Sequence, residues 1–414
     1  MVWQSLFGLF AFLAMAWLLS ENRRRVNLRR AAMGILLTLA VAWVLVKVPI
    51  SREAFILLNR LVLALQEATI NGTSFVFGYL GGGPLPFVET YQGSSFILAF
   101  QALPMVLVMS ALSSLLFYWN VLPMVVRGFS WGLRKAMKVG GAEGLSNAMN
   151  VFVGMVEAPL FIRPYLGCMS RSELFSVMTC GMANIAGTVM ALYAAIISSA
   201  VPNAMGHILI ASIISLPASI TIAKIMIPET EPATAGELTM ADTAESSMDA
   251  ITRGTLEGVE LLLNIIAMLV VLVALVSLVN LALGLLPDVS GRPITLQRLM
   301  AVLMAPFCWL MGVPWSETPV AGALMGTKTI LNELMAYIDM GRLPAGSLSP
   351  RSLLIMTYGM CGFANPGSLG IMVGGMGTMV PERRPEIVDL GLRALVSGTL
   401  SSGILGCVVG LVGV

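Results

Sequence analysis

Twelve apolar runs follow one another along the chain, at about 6–19, 31–48, 53–69, 76–90, 94–119, 145–165, 173–200, 204–227, 258–287, 297–325, 350–379 and 389–413. Most approach the roughly 20 residues that a helix needs to cross a bilayer core. One aqueous globule has no surface on which to place so many. Of the 414 residues 57% are hydrophobic and 11% charged, against about a quarter charged in an average soluble domain. A water-soluble enzyme is therefore excluded. Lipid leaves no partner for an open backbone, so the spans must be helices or a closed barrel, and runs of this length specify helices.

Charge excludes further classes. The 24 basic and 22 acidic residues nearly cancel, which leaves no electrostatic footprint for nucleic acid. The five cysteines, at 168, 180, 308, 361 and 407, have no short spacing suited to zinc or a disulfide framework. No phosphate-binding lysine motif is present, so an ATP-driven pump is not indicated.

The first run has no basic residue before it, unlike a signal peptide. Arg23, Arg24, Arg25, Arg29 and Arg30 follow it instead. Basic loops stay cytoplasmic, so the N-terminus is expected outside and the first helix retained. The run 53–69 carries Arg52, Glu53, Arg60 and Glu67 in or beside it and is expected to lie along the interface. Glycines and prolines at 78–86 make 76–90 a loop or re-entrant passage. Pro228 to Asp249, with six acids and no base, reads as a solvent-exposed linker between two halves.

Those halves repeat. Cys180-Gly-Met-Ala-Asn184-Ile-Ala-Gly187 matches Cys361-Gly-Phe-Ala-Asn365-Pro-Gly-Ser368 at four of eight positions. A glycine–proline–acid cluster precedes each octet: Gly154-Met-Val-Glu157-Ala-Pro159 in the first half, Gly312-Val-Pro314-Trp-Ser-Glu317-Thr-Pro319 in the second. Duplicated units with interrupted helices are how secondary transporters build a site near the membrane midplane.

A carboxylate within the hydrocarbon region is costly and marks a pathway or site by default. Glu157, between Gly154 and Pro159, fits the tip of a re-entrant hairpin; the bland alternative is a short external loop. Glu333 is a second such acid, or else a structural salt-bridge partner of a nearby base. Asn365 precedes Pro366-Gly367, which should interrupt a helix and free carbonyls. Two glutamates, an amide and the Ser368 hydroxyl could bind a polyhydroxylated solute. Asn150 and Asn184, with carbonyls freed near Val153 and Ile185, could ligate a small cation; an amide bonded within a helix contact is equally open. His207, the single histidine, reads as interfacial.

The run from Asn150 to Pro159, together with Gly312 to Glu317, Asn332-Glu333 and Cys361 to Ser368, resembles the concentrative nucleoside transporters over essentially the whole chain. The resemblance implies an all-α polytopic membrane protein: eight transmembrane helices plus two re-entrant helical hairpins, with an inverted-repeat transport domain on a scaffold domain. The corresponding divisions are 1–119 (scaffold with interfacial helix), 120–227 (first transport half), 228–249 (acidic linker), 250–287 (scaffold helix) and 288–414 (second transport half). It implies a homotrimer in the bacterial cytoplasmic membrane, importing nucleosides such as uridine, cytidine and adenosine by alternating access. A sodium gradient would drive it, or protons; the residues themselves leave open a passive channel or facilitator, and a membrane-embedded enzyme or structural subunit. No cofactor is implied beyond the coupling ion.

Residue by residue, Gly154, Met155, Val156 and Glu157 would face the base. Glu333, Asn365 and Ser368 would hold the ribose, Val189 would flank the sugar, and Phe363 and Leu261 would pack against the base. Sodium would sit at Asn150, Val153, Asn184 and Ile185. Two departures stand out. Met155-Val156 replaces the family's frequent Gln-Thr or Gln-Ser, which removes two polar partners and should loosen base discrimination. Asn184 stands where serine is common, which alters the ion cavity.

Overall fold

The computed structural model describes residues 2–89, 95–234, 244–289, 291 and 293–413, with only the backbone of 49–59 and 62. The described residues are helices and their connections: α1 (Val2–Leu18), α2 (Leu28–Lys47), α3 (Pro49–Phe77), α4 (Leu98–Gln101), α5 (Met105–Tyr118), α6 (Val121–Met137), α7 (Gly141–Met149), α8 (Glu157–Leu160), α9 (Arg163–Leu166), α10 (Arg171–Ala183), α11 (Gly187–Ile197) and α12 (Ala204–Met226). After the linker come α13 (Ser247–Leu283), α14 (Leu296–Met311), α15 (Thr318–Ile330), α16 (Glu333–Gly341), α17 (Pro350–Gly359), α18 (Pro366–Met379) and α19 (Arg384–Val412). Among the described residues, six helical stretches are long and apolar enough to cross a membrane: Leu28–Lys47, Leu98–Tyr118, Arg171–Ile197, Ala204–Met226, Ser247–Leu283 and Pro381–Val412. Val2–Leu18 and Leu296–Met311 are shorter apolar helices.

Local chemistry sets the boundaries. Ser170 and Glu173 form a reciprocal capping box at the start of α10. Asn27, Asn332, Ser349 and Asn365 accept backbone N–H bonds as N-caps of α2, α16, α17 and α18. The run expected along the interface belongs to the single helix α3, which continues to Phe77. Gly78, at φ 60°, ends it in a conformation that favours glycine; of the stretch 76–90 expected as a loop or re-entrant passage, 76–77 close α3, Gly78–Gly81 form a 3-10 turn, and 82–89 is non-helical.

Helices α12 and α19 are the buried centre, with α10 packed on both. α1 reaches α14 through Gln4, whose Nε2 donates to the carbonyls of Trp309 (2.6 Å) and Val313 (2.9 Å). By contrast α13 is almost bare, with Leu263, Val270, Leu275, Leu278 and Leu281 among its many exposed residues. Its 37 residues make it about 55 Å long. It docks on α5 through Gly254 and Gly258. A methyl at Gly258 would lie 3.0 Å from Leu107 Cα and 3.1 Å from Ser110 Cβ, so the absent side chain is what permits the approach.

The acidic linker is less free than its composition implies. Glu229 Oε2 lies 2.9 Å from Lys224 Nζ and accepts from the Ser170 hydroxyl at 3.0 Å. Lys224 Nζ also lies 3.1 Å from the buried Glu143 carboxylate. Asp249 caps into α13 and pairs with Arg253 at 2.9 Å. Glu237 and Asp242 lie outside the described residues. At the end of the bundle carrying the Arg-rich turn, Glu21 pairs with Arg171 (2.9 Å) and Arg393 (3.0 Å).

A helix–break–helix unit occurs twice in each half. α7 ends at Met149 and helix resumes at Glu157; α10 ends at Ala183 and resumes at Gly187. α15 ends at Ile330 and resumes at Glu333; α17 ends at Gly359 and resumes at Pro366. This revises one correspondence drawn from sequence. The Gly154–Pro159 cluster forms the break of its unit, whereas Gly312–Pro319 lies at the start of α15. Glu317 there accepts from the backbone N–H and hydroxyl of Ser349, both at 3.1 Å. The counterpart of the first break is Leu331-Asn332.

Candidate substrate and ion site

All four breaks converge. The Phe363 N–H donates to the Asn184 carbonyl at 3.1 Å, so the interruptions of α10–α11 and α17–α18 are hydrogen-bonded to each other. Gly187 abuts the Phe152 backbone, which brings the α7–α8 break against the same point. The first turns of α8, α11, α16 and α18 line one cavity, with α13 as its remaining wall. Helix N-termini carry partial positive charge and unpaired N–H groups. That accounts for the placing of two carboxylates, since Glu157 and Glu333 are each the first residue of their helix.

Glu333 is 4% exposed and fully engaged on one side. Its Oε1 accepts from the Tyr193 hydroxyl at 2.7 Å and its Oε2 from Asn365 Nδ2 at 3.2 Å. No ion pair to Glu333 occurs among the described residues; its partners are a phenol and an amide, not the neighbouring base of the bland reading. Asn365 in turn accepts the Ser368 N–H at 2.9 Å, which fixes the amide so that its nitrogen faces Glu333. Tyr193 is held by Tyr337, ring centroids 5.3 Å apart, and the Tyr337 hydroxyl donates to the Thr357 carbonyl at 2.9 Å.

Glu157 is accessible from the cavity, and its carboxylate folds back on the N–H groups of Val156 and Glu157. It occupies the space over Gly154 that a side chain there would need. Exposed Glu257 and Glu260 on α13 add negative charge to this end of the site. Met155 is 8% exposed and rests on Gly181 of α10, and Val156 rests on Gly375 of α18. Both are therefore partly spent on packing between elements.

All ten residues expected around the solute line this cavity: Gly154 to Glu157, Val189, Leu261, Glu333, Phe363, Asn365 and Ser368. Sequence reasoning missed Thr188, Tyr193, Asn264 and Asn332, which line it too. Asn332 was within a quoted motif; Tyr193 had no signal beyond being an aromatic in an apolar run.

The expected ion ligands also lie at the junction of breaks. Asn184 Nδ2 donates to the Asn150 carbonyl at 3.2 Å, and Asn184 Oδ1 accepts the Ile185 N–H at 3.0 Å. Asn150 Nδ2 reaches Cys180 Sγ at 3.7 Å, and Val153 lies in the same break as Asn150. Asn150, Asn184 and Ile185 are buried. Among the described residues no group of three or more His, Cys, Asp and Glu side chains forms a metal site, so oxygen ligands for an ion would come from amides and carbonyls. An amide oxygen accepting one bond retains a second lone pair. His207 is half-buried with Nδ1 3.1 Å from the Tyr358 hydroxyl and is not among the residues that line the cavity.

Comparison with known proteins bears on the whole chain. The family description "Na+ dependent nucleoside transporter C-terminus" matches residues 207–410, its N-terminal counterpart matches 7–80, and "Nucleoside recognition" matches 99–200. The nucleoside permease NupC of Helicobacter pylori is 33% identical over 99% of this chain and 98% of its own. Human solute carrier family 28 member 3 is 33% identical over 98% of this chain and 59% of its own length. The structure of CNTnw in an inward-facing substrate-bound state superposes with a TM-score of 0.90 at 33% identity, covering 99% of each chain. A chain with this cavity, these interrupted helices and full-length similarity is a membrane transporter, not an enzyme, and it belongs to the concentrative, Na+ dependent nucleoside transporter family.

Proposed function

We propose that this chain is a symporter that imports nucleosides across the bacterial cytoplasmic membrane, driven by a sodium gradient. The observation that carries the reading is the Glu333–Asn365–Tyr193 network on the cavity wall. A buried carboxylate held by two donors has acceptor positions left for paired hydroxyls, which is what a ribose presents. Met155 and Val156 offer the base no hydrogen bond, so both pyrimidine nucleosides (uridine, cytidine) and purine nucleosides such as adenosine are substrates.

Sodium binds where Asn150 and Asn184 meet, with the Val153 and Ile185 carbonyls. Because that place adjoins the α7–α8 break, the ion orders Gly154–Glu157 and raises nucleoside affinity; by linkage the nucleoside raises ion affinity equally. The units at 120–227 and 288–414 move as the transport domain across a scaffold of 1–119 and 250–287, exposing the cavity to each side in turn. Scaffold helices form a homotrimer, for which the apolar face of α13 offers the surface, and the N-terminus lies outside. Seven residues of the cavity come from the proposed transport domain's breaks, so movement past α13 is what opens or covers the solute.

Proteoliposomes carrying the purified protein test this with labelled uridine and adenosine under an inward sodium gradient, an inward proton gradient, or neither. Accumulation of both solutes in the sodium arm is expected. Accumulation in the proton arm alone overturns the assignment of the ion, and equilibration without accumulation in every arm overturns symport.

A further inference from the structure

Lys328 has no place in the scheme above, although it lies in the same unit as Glu333. It is fully buried in α15, two residues before that helix ends, and its Nζ has no hydrogen-bond partner. The titratable groups that act on it are Glu333, at the start of α16, and Cys361, in the α17–α18 break. An isolated ammonium in a dry interior is costly, so its retention beside the cavity needs a reason.

The repeat supplies one. In the first half, Asn147 stands two residues before the end of α7, and its carbonyl lies 3.9 Å from Cys180 Sγ, 33 positions on. Lys328 stands two residues before the end of α15 and 33 positions before Cys361, the partner of Cys180 in the repeated octet. One step of 181 positions relates Asn147 to Lys328, Asn150 to Leu331, Cys180 to Cys361 and Asn184 to Asn365. The first half thus has amides at these positions, and the one carboxylate that acts on Cys180 from nearby, Glu143, is paired with Lys224 at 3.1 Å. The second half has, in the same register, an ammonium and a leucine. The asparagine that remains, Asn365, turns its nitrogen toward Glu333 at 3.2 Å, as it would toward a carboxylate whose charge is balanced nearby.

We propose that the Lys328 ammonium is a tethered cation, standing in the second half where the first half takes a mobile one, and that it keeps Glu333 a carboxylate facing the ribose. It is a positioning residue and touches no solute. The inference rests on the proposed roles of Asn150 and Asn184 for its ion part, and on Glu333 for its charge part.

The test is uridine affinity by calorimetry across a sodium series, with wild type, Lys328→Asn and Lys328→Arg, each checked for intact folding by size exclusion. Lys328→Asn restores the first half's amide. It is expected to weaken uridine by about tenfold, the scale of coupling between neighbouring groups, and to raise the sodium Hill coefficient from about one to about two as a second ion enters. Lys328→Arg keeps the charge and should retain a coefficient of about one. In a Glu333→Gln background the Lys328→Asn loss should shrink below about twofold, whether or not sodium matters. A Lys328→Asn protein with wild-type affinity and an unchanged coefficient overturns the proposal, as does an undiminished loss in the Glu333→Gln background. Sodium-independent binding by wild type would overturn the ion assignment of the function, leaving the charge part to the double variant. If Lys328→Asn does not fold, equilibrium binding of labelled sodium to wild type decides: one ion per protomer is expected, and two overturn the inference.

Discussion

Replacing Glu333 by Gln isolates what the carboxylate does for the sugar. Two of its roughly four acceptor positions are taken, by Tyr193 at 2.7 Å and Asn365 at 3.2 Å. The others face the cavity. Glutamine keeps one oxygen and puts an NH2 in place of the second. The Tyr193 hydroxyl can turn to accept from it, whereas Asn365 Nδ2 is fixed as a donor through the Ser368 bond, so the remaining oxygen must stay on Asn365. One ribose hydroxyl loses its acceptor and the other loses a charge-assisted bond. Bonds to charged groups contribute about 1.5–3 kcal/mol each, so a loss of about 3 kcal/mol is expected, or about 100-fold in uridine affinity. Calorimetry with uridine and 2′,3′-dideoxyuridine on wild type and Glu333→Gln separates this from a structural defect. The dideoxy compound already lacks the hydroxyls, so the substitution should change its affinity by less than about threefold. Equal weakening of both ligands would refute the reasoning and make Glu333 a packing residue.

Three further outcomes follow from the geometry. Met155→Gln with Val156→Thr should sharpen discrimination between uridine and adenosine by about tenfold, since a mismatched polar contact costs about 1–3 kcal/mol; an unchanged uptake ratio sinks the reading of these two residues. Gly258→Leu should destabilise the protein by about 1–3 kcal/mol through overpacking on the α5 backbone, seen as a lowered melting temperature, while Gly72→Leu, with nothing within 4 Å of its added carbon, should not. Burial alone would push the Glu229 carboxyl up, but Lys224 and Ser170 outweigh it and hold the carboxyl below its ordinary range. Its contribution to stability is therefore complete above the ordinary carboxylate pKa and is lost as pH falls through the depressed value, so melting temperatures measured from pH 7 downward should fall less steeply in Glu229→Gln.

Much of this was legible beforehand because membrane helices and their interruptions have strong compositional signatures. Asn365-Pro366-Gly367 announces a broken helix on stereochemical grounds, and Cys180–Gly187 against Cys361–Ser368 announces a duplication. The alignment of the two Gly–Pro–acid clusters misled, because prolines and acids suit both the break of one unit and the opening of the other. The octets already fix a step of 181 positions, but that the same step carries the end of α7 onto the end of α15 shows only when helix ends are known. Tyr193 was invisible because its role depends on Glu333, 140 residues away. The Glu143–Lys224–Glu229 group was hidden likewise: three charges distant in sequence read as a helix acid, a helix base and a linker acid until the fold joins them.

The single hydrogen bond between the Phe363 N–H and the Asn184 carbonyl has a consequence for how signals pass. Asn184 belongs to the proposed ion site, and Phe363 lines the cavity of the proposed solute site. Each interruption supplies the backbone partner that the other lost by not being helix, so neither can rewind alone without leaving a buried polar group unpaired. Whatever shifts the backbone at one residue is handed to the other across 3.1 Å. Ion and solute would then be read by one shared joint, and the tightness of their coupling would be a property of that joint's stiffness, open to adjustment by substitutions that touch neither ligand.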